Sequence, residues 1–501
     1  MKIFLKIIST LLAVMIVFVP LSALAGEAHN TYICPRIYIH GLMAVPIQRD
    51  KNDKNSEVIF PPSTEKILSA VTGALPKLGL SLASGGLKGF GDEACRVANE
   101  LMSEAYLDKN GNVKDNSGVY FEYPEASSIK KDSKLSFDYD WRVDPVETAA
   151  QLNDFVDYVL RCSGAQKVNL SAHSLGGVIL ITYISIYGYE KVHGACFNSS
   201  AVFGESYTGD LMKGEMSFSG DAFDYFLHYL IDETEYQYLL SAVTDAAAKL
   251  GVFNAAAFAS NELLEAVKES LFNQVMLPLF CHWLTIWAMV PDEDIEEGVE
   301  NVFGNIAKDQ DYSELIGKIE KYNTLVRSGK KETLAKLNEN ANVYVIARYG
   351  YPSIPITPSY SKLTDGTIDV KYASFGAAAS LYKESLSEEY LADADPEYIS
   401  PDKSVDASKC MFPEQTWFIR SFKHYSMPDS VVSFTDLLLE QAEQASVDTF
   451  EKYPRFLVYD YENDTILPDT NYQSPTLVSS IKNILNDVIK LIRFWIRKIS
   501  G

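Results

Sequence analysis

Apolar positions change their period twice along this chain, and the changes divide it. Strand-length apolar runs at Arg36–Ile39, Lys134–Tyr139, Lys167–Leu170 and Val192–Phe197 alternate with stretches at helical spacing. The helical stretches are Ser63–Leu78, the segment after Pro145 that carries Leu152, Phe155, Val156, Val159 and Leu160, and the apolar run from Gly176 towards Tyr187. Gly85, Gly86, Gly89 and Gly91 read as a glycine-rich loop, and Asn110-Gly111-Asn112 as a hairpin turn. Alternating strands and helices predict an α/β fold with a mainly parallel sheet flanked by helices.

From about Gly204 to Asn340 strand patterning stops. Helices are expected at Phe223–Leu230, Tyr238–Leu250 and Leu263–Val290. The run Phe272, Val275, Met276, Leu279, Phe280, Trp283, Ile286, Trp287 is apolar around too much of its circumference for a surface helix. It reads either as a bundle packed on the core or as a cap whose apolar underside faces an active site. An insertion this long is better explained by function than by linkage, which favours the cap. Strands resume at Asn342–Ala347 and Thr416–Ile419, with a helix from Val432.

The termini differ from the rest. Lys2 and Lys6, the apolar run Ile7–Val19 and Ala23-Leu24-Ala25 make a secretory signal cut before Gly26, with an uncleaved anchor as the rival reading. No cysteine follows that run for lipid attachment, so export without a lipid anchor is expected. At the other end Leu477, Ile481, Ile484, Leu485, Val488, Ile492, Trp495 and Ile499 form an apolar helical stripe among Lys482, Lys490, Arg493, Arg497 and Lys498. Such a basic amphipathic helix either lies on an anionic membrane or packs on the protein itself. The expected organisation is a signal peptide over 1–25, a first core part over 26–204, a helical cap over 205–340, a second core part over 341–475 and the basic helix over 476–501.

The formal charge of −23 becomes −25 once Lys2 and Lys6 leave with the signal, and such a surface repels nucleic acid and anionic bilayers. The acidic run Asp292–Glu297 reads as a solvated face. Cys34, Cys95, Cys162, Cys196, Cys281 and Cys410 lack the short paired spacing of a zinc or redox motif; in an exported protein they allow disulfides or stay as buried thiols.

The candidate chemistry centres on Ala172-His173-Ser174-Leu175-Gly176-Gly177, placed between a strand and an apolar helix. A serine on such a turn presents its hydroxyl above the sheet, and only small residues fit two positions either side of it. A serine nucleophile needs a base, and the base a carboxylate, in the chain order Ser, acid, His. Of the seven histidines only His424 lies beyond the returning strands; His29 and His40 precede the serine, His173 points away from it on the pleat, His193 begins a strand, and His228 and His282 fall in the insertion. Asp365, in Asp365-Gly366-Thr367 after the strand Val343–Ala347, is the chosen acid, with Asp369 its closest rival and Asp460 too late in the chain. The oxyanion hole is assigned to the amides of Leu175 and Leu42, with Met43 in place of Leu42 if the turn is displaced. Asp140, Trp141 and Arg142 are read as structural, fixing the helix that follows.

These residues resemble the lecithin:cholesterol acyltransferase-like branch of the α/β-hydrolase lipases, through His40-Gly41-Leu42, Tyr139-Asp140-Trp141-Arg142 with Asp144-Pro145, the Ser174 elbow, Asp365-Gly366-Thr367 and His424. Ala172 departs from the glycine usual in that branch and looks more like several bacterial lipases. The resemblance implies a serine ester hydrolase or acyltransferase acting on lipid esters, with no cofactor. Hydrolysis and transfer to a lipid alcohol use the same motifs. A serine peptidase on the same fold and a non-catalytic lipid-binding surface protein are the other classes; the apolar cap and the unbroken triad speak against them.

Overall fold

Eight strands form one sheet: β1 (Arg36–Ile39), β2 (Lys134–Phe137), β3 (Val168–His173), β4 (Val192–Asn198), β5 (Asn342–Tyr349), β6 (Thr416–Arg420), β7 (Phe456–Asp460) and β8 (Thr465–Pro468). Their order across the sheet is β8-β7-β6-β5-β4-β3-β1-β2, parallel throughout except for the antiparallel β7–β8 edge. The computed structural model describes residues 30–83, 86–231, 237–470, 482 and 484–490. The expected signal segment and most of the expected tail helix lie outside the described residues.

Every residue of β3 and β5 is buried, as central strands covered by helices on both faces require. One face carries α3 (Pro145–Ser163), whose start and stop are written in the sequence. Asp144 accepts from the Val146 amide at 2.8 Å, Pro145 occupies the first turn, and Gly164 closes the helix in the left-handed region. α3 packs on α4 (Leu175–Tyr187), a helix buried along its first ten residues. The other face carries a helix over Asp429–Leu439 that packs against β4.

No strand interrupts the described residues between β4 and β5, as the periodicity predicts. α5 (Ser206–Lys213), α6 (Gly220–Ile231), α7 (Gln237–Lys249) and α8 (Val252–Leu271) follow one another there. The expected Leu263–Val290 helix is instead broken: α8 runs into a π-helical stretch, Phe272–Cys281, containing Pro278, and a new helix starts at Leu284. Phe272, Val275, Met276, Leu279, Trp283, Ile286 and Trp287 are buried in the main core, so this run behaves as the packed bundle rather than as the underside of a cap. Trp283 Nε1 donates to the Ala105 carbonyl at 3.2 Å and Thr285 Oγ1 to that of Trp141 at 2.7 Å.

The glycine-rich loop is also corrected. Gly89 and Gly91 lie inside α2, the Leu87–Met102 helix, which pairs with α1, the Thr64–Ala83 helix, and packs on α8. A Cβ at Gly91 would run into the Val267 side chain, so this glycine serves close helix approach, not turning. Asn110-Gly111-Asn112 is a turn held by Asp108 Oδ1, which accepts from the Asn110 and Asn112 amides at 2.9 and 2.8 Å; no strand flanks it to make a hairpin. The acidic run is not merely solvated. Asp292 accepts from buried Arg327 and Lys330 at 2.8 and 2.7 Å, and Asp294 pairs with Lys213 at 3.0 Å.

All six cysteines are free thiols, and burial pushes Cys34, Cys196 and Cys410 up to about 12. Residues 484–490 are helical, and buried Asp487 accepts from the Tyr238 and Leu239 amides at 2.8 and 3.1 Å, capping α7. No described helix is long and apolar enough to cross a membrane.

Candidate active site

Between the end of β3 and the start of α4, Ser174 adopts φ 57 and ψ −127, a conformation that costs a non-glycine residue about 1–3 kcal/mol. Its neighbours hold it there. The Ser174 amide donates to the carbonyls of Asn198 and Ser199 at 3.2 and 3.1 Å, and its carbonyl accepts from Ala201 at 3.2 Å. Gly176 lies so close to β1 that a Cβ would strike the Ile39 carbonyl.

The three side chains chosen from sequence meet at this elbow. His424 Nδ1 lies 2.7 Å from Asp365 Oδ2, and Nε2 lies 2.9 Å from Ser174 Oγ. Since an ionised carboxylate only accepts, the proton belongs on Nδ1, leaving the Nε2 lone pair for the serine hydroxyl. The other Asp365 oxygen accepts from the Thr367 and Ile368 amides at 3.1 and 2.8 Å, and the His424 amide donates to the Asp365 carbonyl at 2.9 Å. Asp365 is completely buried, and Ser174 and His424 expose 7% and 5%.

The rival acids point elsewhere. Asp369 accepts from Ser206 N and Oγ, both at 2.8 Å, and holds the start of α5. Asp460 caps the β7–β8 turn through the Glu462 and Asn463 amides.

Leu175 is the first residue of α4, where amides have no intrahelical acceptor. The His40-Gly41 turn abuts the nucleophile, since a Cβ on Gly41 would lie 2.9 Å from Ser174 Cβ. Leu42 and Met43 both sit in that turn, Met43 at φ 59. The Tyr139-Asp140-Trp141-Arg142 block holds this loop rather than the helix behind it. Tyr139 Oη donates to the His40 carbonyl at 2.7 Å and Trp141 Nε1 to that of Val45 at 2.9 Å. Arg142 is fully buried and forked onto Asp140 at 2.6 and 2.9 Å. His40 fixes the loop further through Asp138 at 2.7 Å.

His173 does not point away from the site. Its ring lies against His424, centroids 4.7 Å apart, and burial, with Arg348 and His424 nearby, holds it well below the usual histidine range. His173 therefore stays neutral beside the base. α6 covers the rim: Tyr229 closes over Gly366, and Lys423 Nζ donates to the Tyr229 carbonyl at 3.0 Å. The sequence reading overlooked Arg348, a lone cation at the inner end of an apolar strand, and that interruption was its only signal.

Fold and elbow together define an α/β-hydrolase. The family model "Lecithin:cholesterol acyltransferase" matches residues 89–359, and the chain belongs to that family. The family is one of lipid-acting acyltransferases and esterases. The matched stretch contains Ser174; Leu42, Asp365 and His424 lie outside it and are placed by geometry alone. No curated protein matches the chain. Among solved structures, a chain from "The crystal structure of Tle4-Tli4 complex" is similar over 37% of this chain at 15% identity and a TM-score of 0.20, and the match spans 48% of that chain.

Proposed function

We propose that this protein is an exported serine ester hydrolase of lipids that works through an acyl-enzyme. The observation that carries this reading is the continuous Ser174–His424–Asp365 hydrogen-bonded line, at 2.9 and 2.7 Å, beneath a helical covering. His424 Nε2 takes the Ser174 proton as Oγ attacks the ester carbonyl, and Asp365 stabilises the imidazolium. The Leu175 amide and one from the Leu42 turn face the developing oxyanion. His424 then protonates the departing alcohol, and water repeats the sequence to release the acid. A lipid alcohol in the place of that water makes the same residues an acyltransferase, which the family accommodates.

The outer helices and the turn between α7 and α8 support lipid as the substrate class, because they expose large apolar side chains, among them Leu80 at 72%, Leu250 at 81% and Phe258 at 68%. Export rests on the Lys2–Ala25 pattern. The test is turnover of a panel of glycerolipid and phospholipid esters, beside peptide substrates, by the mature chain and by Ser174→Ala. Ester turnover lost in the variant is expected, together with loss of Ser174 labelling by a fluorophosphonate. Equal turnover in the two proteins sinks the reading, and cleavage of peptides alone turns it to a peptidase.

A further inference from the structure

A general base carried on a loop needs that loop held, and irregular buried backbone needs donors for its carbonyls. The segment that carries His424 follows β6 and precedes the Asp429–Leu439 helix, with no ladder of its own. Its donors come from one side chain. Arg348, at the inner end of β5, is completely buried, and its Nη1 donates to the carbonyls of Lys423, His424 and Ser426 at 3.2, 3.1 and 2.7 Å. Nη2 reaches Met427 Sδ at 2.8 Å, and the guanidinium lies 4.1 Å from the centre of the Phe422 ring.

The remaining donor closes a circuit. Arg348 Nε donates to Asn198 Oδ1 at 2.9 Å, and the carbonyl of the same Asn198 accepts the Ser174 amide at 3.2 Å. Nucleophile and base are thus joined twice: directly through Oγ and Nε2, and behind the site through Asn198 and Arg348. A buried arginine kept only for packing is normally neutralised by a carboxylate. Among the described residues none is in ion-pair contact with Arg348, whose donors are spent on the loop carbonyls, Asn198 and a thioether.

We propose that Arg348 is the positioning residue of the general base, clamping the Lys423–Met427 loop so that His424 reaches Ser174 and Asp365 together. Burial pushes its guanidinium down to about 10, with Asp365 the leading opposing influence, so the clamp stays cationic at neutral pH. Lysine cannot replace it, because an ammonium has no planar fork to span three carbonyls and Asn198 at once.

This rests on the triad reading above, and the test separates the two. In the full mature chain, Arg348→Lys is expected to lower kcat about 100-fold, the scale of a misplacement near 1 Å, with KM changed less than roughly threefold. The downfield proton resonance of the His424 Nδ1–Asp365 hydrogen bond, read without substrate, is expected to weaken or vanish. Unchanged kcat and an intact resonance in folded Arg348→Lys overturn the proposal. Should that variant fail to fold, Asn198→Ser decides: it leaves Arg348 in place and is expected to lower kcat by a smaller factor, while parental kcat and resonance overturn the clamp. A parent protein that shows the resonance but turns over no ester refutes the functional reading and leaves the positioning result standing.

Discussion

Asp365 and Asp369 occupy one short turn yet serve different helices and loops: Asp365 receives His424 Nδ1 at 2.7 Å, whereas Asp369 receives Ser206 N and Oγ at 2.8 Å. The sequence makes them near equivalents, and the turn between them decides. Ile368 donates its amide to Asp365, and Asp369 takes up the start of α5.

Asp365→Asn and His424→Ala are each expected to lower kcat by about 10⁴-fold, because triad members act as a unit. Asp369→Asn is expected to keep most of kcat and to lose about 1 kcal/mol of stability with its cap on α5. Steady-state kinetics and thermal melts of the three variants check both halves. A crippled Asp369→Asn beside a healthy Asp365→Asn reverses the assignment.

Glu205 gives the fold a pH dependence of definite sign. It is fully enclosed, and burial pushes its carboxyl from 4.5 up to about 8, against the pull of hydrogen bonds from Thr208 and Tyr207. Between those values the folded state binds the extra proton, so this group's contribution to stability falls as pH rises from about 4.5 to about 8 and levels off above. Glu205→Gln cannot ionise, so its melting temperature relative to the parent is expected to climb across that window. Melting curves at pH 5 and pH 8 test it, and a constant difference between the proteins contradicts it.

The apolar outer faces of the Thr64–Ala83 helix, α7 and α8 should meet lipid aggregates. Turnover is expected to rise several-fold as a short-chain ester passes its aggregation threshold. Leu250→Ser combined with Phe258→Ser should reduce that rise and leave turnover of monomeric ester unchanged. A smooth saturation curve through the threshold in the parent protein excludes the idea.

The tail makes a separate prediction, because Asp487 accepts from the Tyr238 and Leu239 amides at the α7 N-terminus. Asp487→Ala is expected to cost about 1 kcal/mol and to speed hydrogen exchange in α7. The basic residues beyond it are proposed to add binding to anionic liposomes. Co-sedimentation of the mature chain against one ending at Pro475 measures that contribution, and equal binding removes it.

Much of the core was legible because its signals are local. Strand runs, the Asp144-Pro145 helix start, and small residues around Ser174 each state their own geometry. Asp365 and His424 were chosen from chain order, the Gly366 turn and elimination of the other histidines, and the fold brings both to Ser174 because parallel strands deliver loops to one edge of the sheet. Other features depend on partners distant in sequence. Gly91 resembles a loop residue until Val267 is set against it. His173 alternates correctly on its strand but belongs beside a histidine from another loop. Arg348 is visible as a charge in an apolar strand, while its purpose lies in carbonyls that only the folded chain assembles. Asp292 looked solvated because its cations, Arg327 and Lys330, arrive from a later helix.

The contact between Gly91 and Val267 also bears on how the chain is made. The Thr64–Ala83 and Leu87–Met102 helices share a small apolar seam of Ala70, Ala74 and Val97, and the second of them packs its other side on α8. α8 is synthesised after β2, β3 and β4 have all emerged. Until then Gly91 marks an open groove on the Leu87–Met102 helix, waiting for Val267. A chain crossing a membrane from its amino terminus would present that surface first, so its yield in the cell should depend on a holding chaperone that shields the early helices until their late partner arrives.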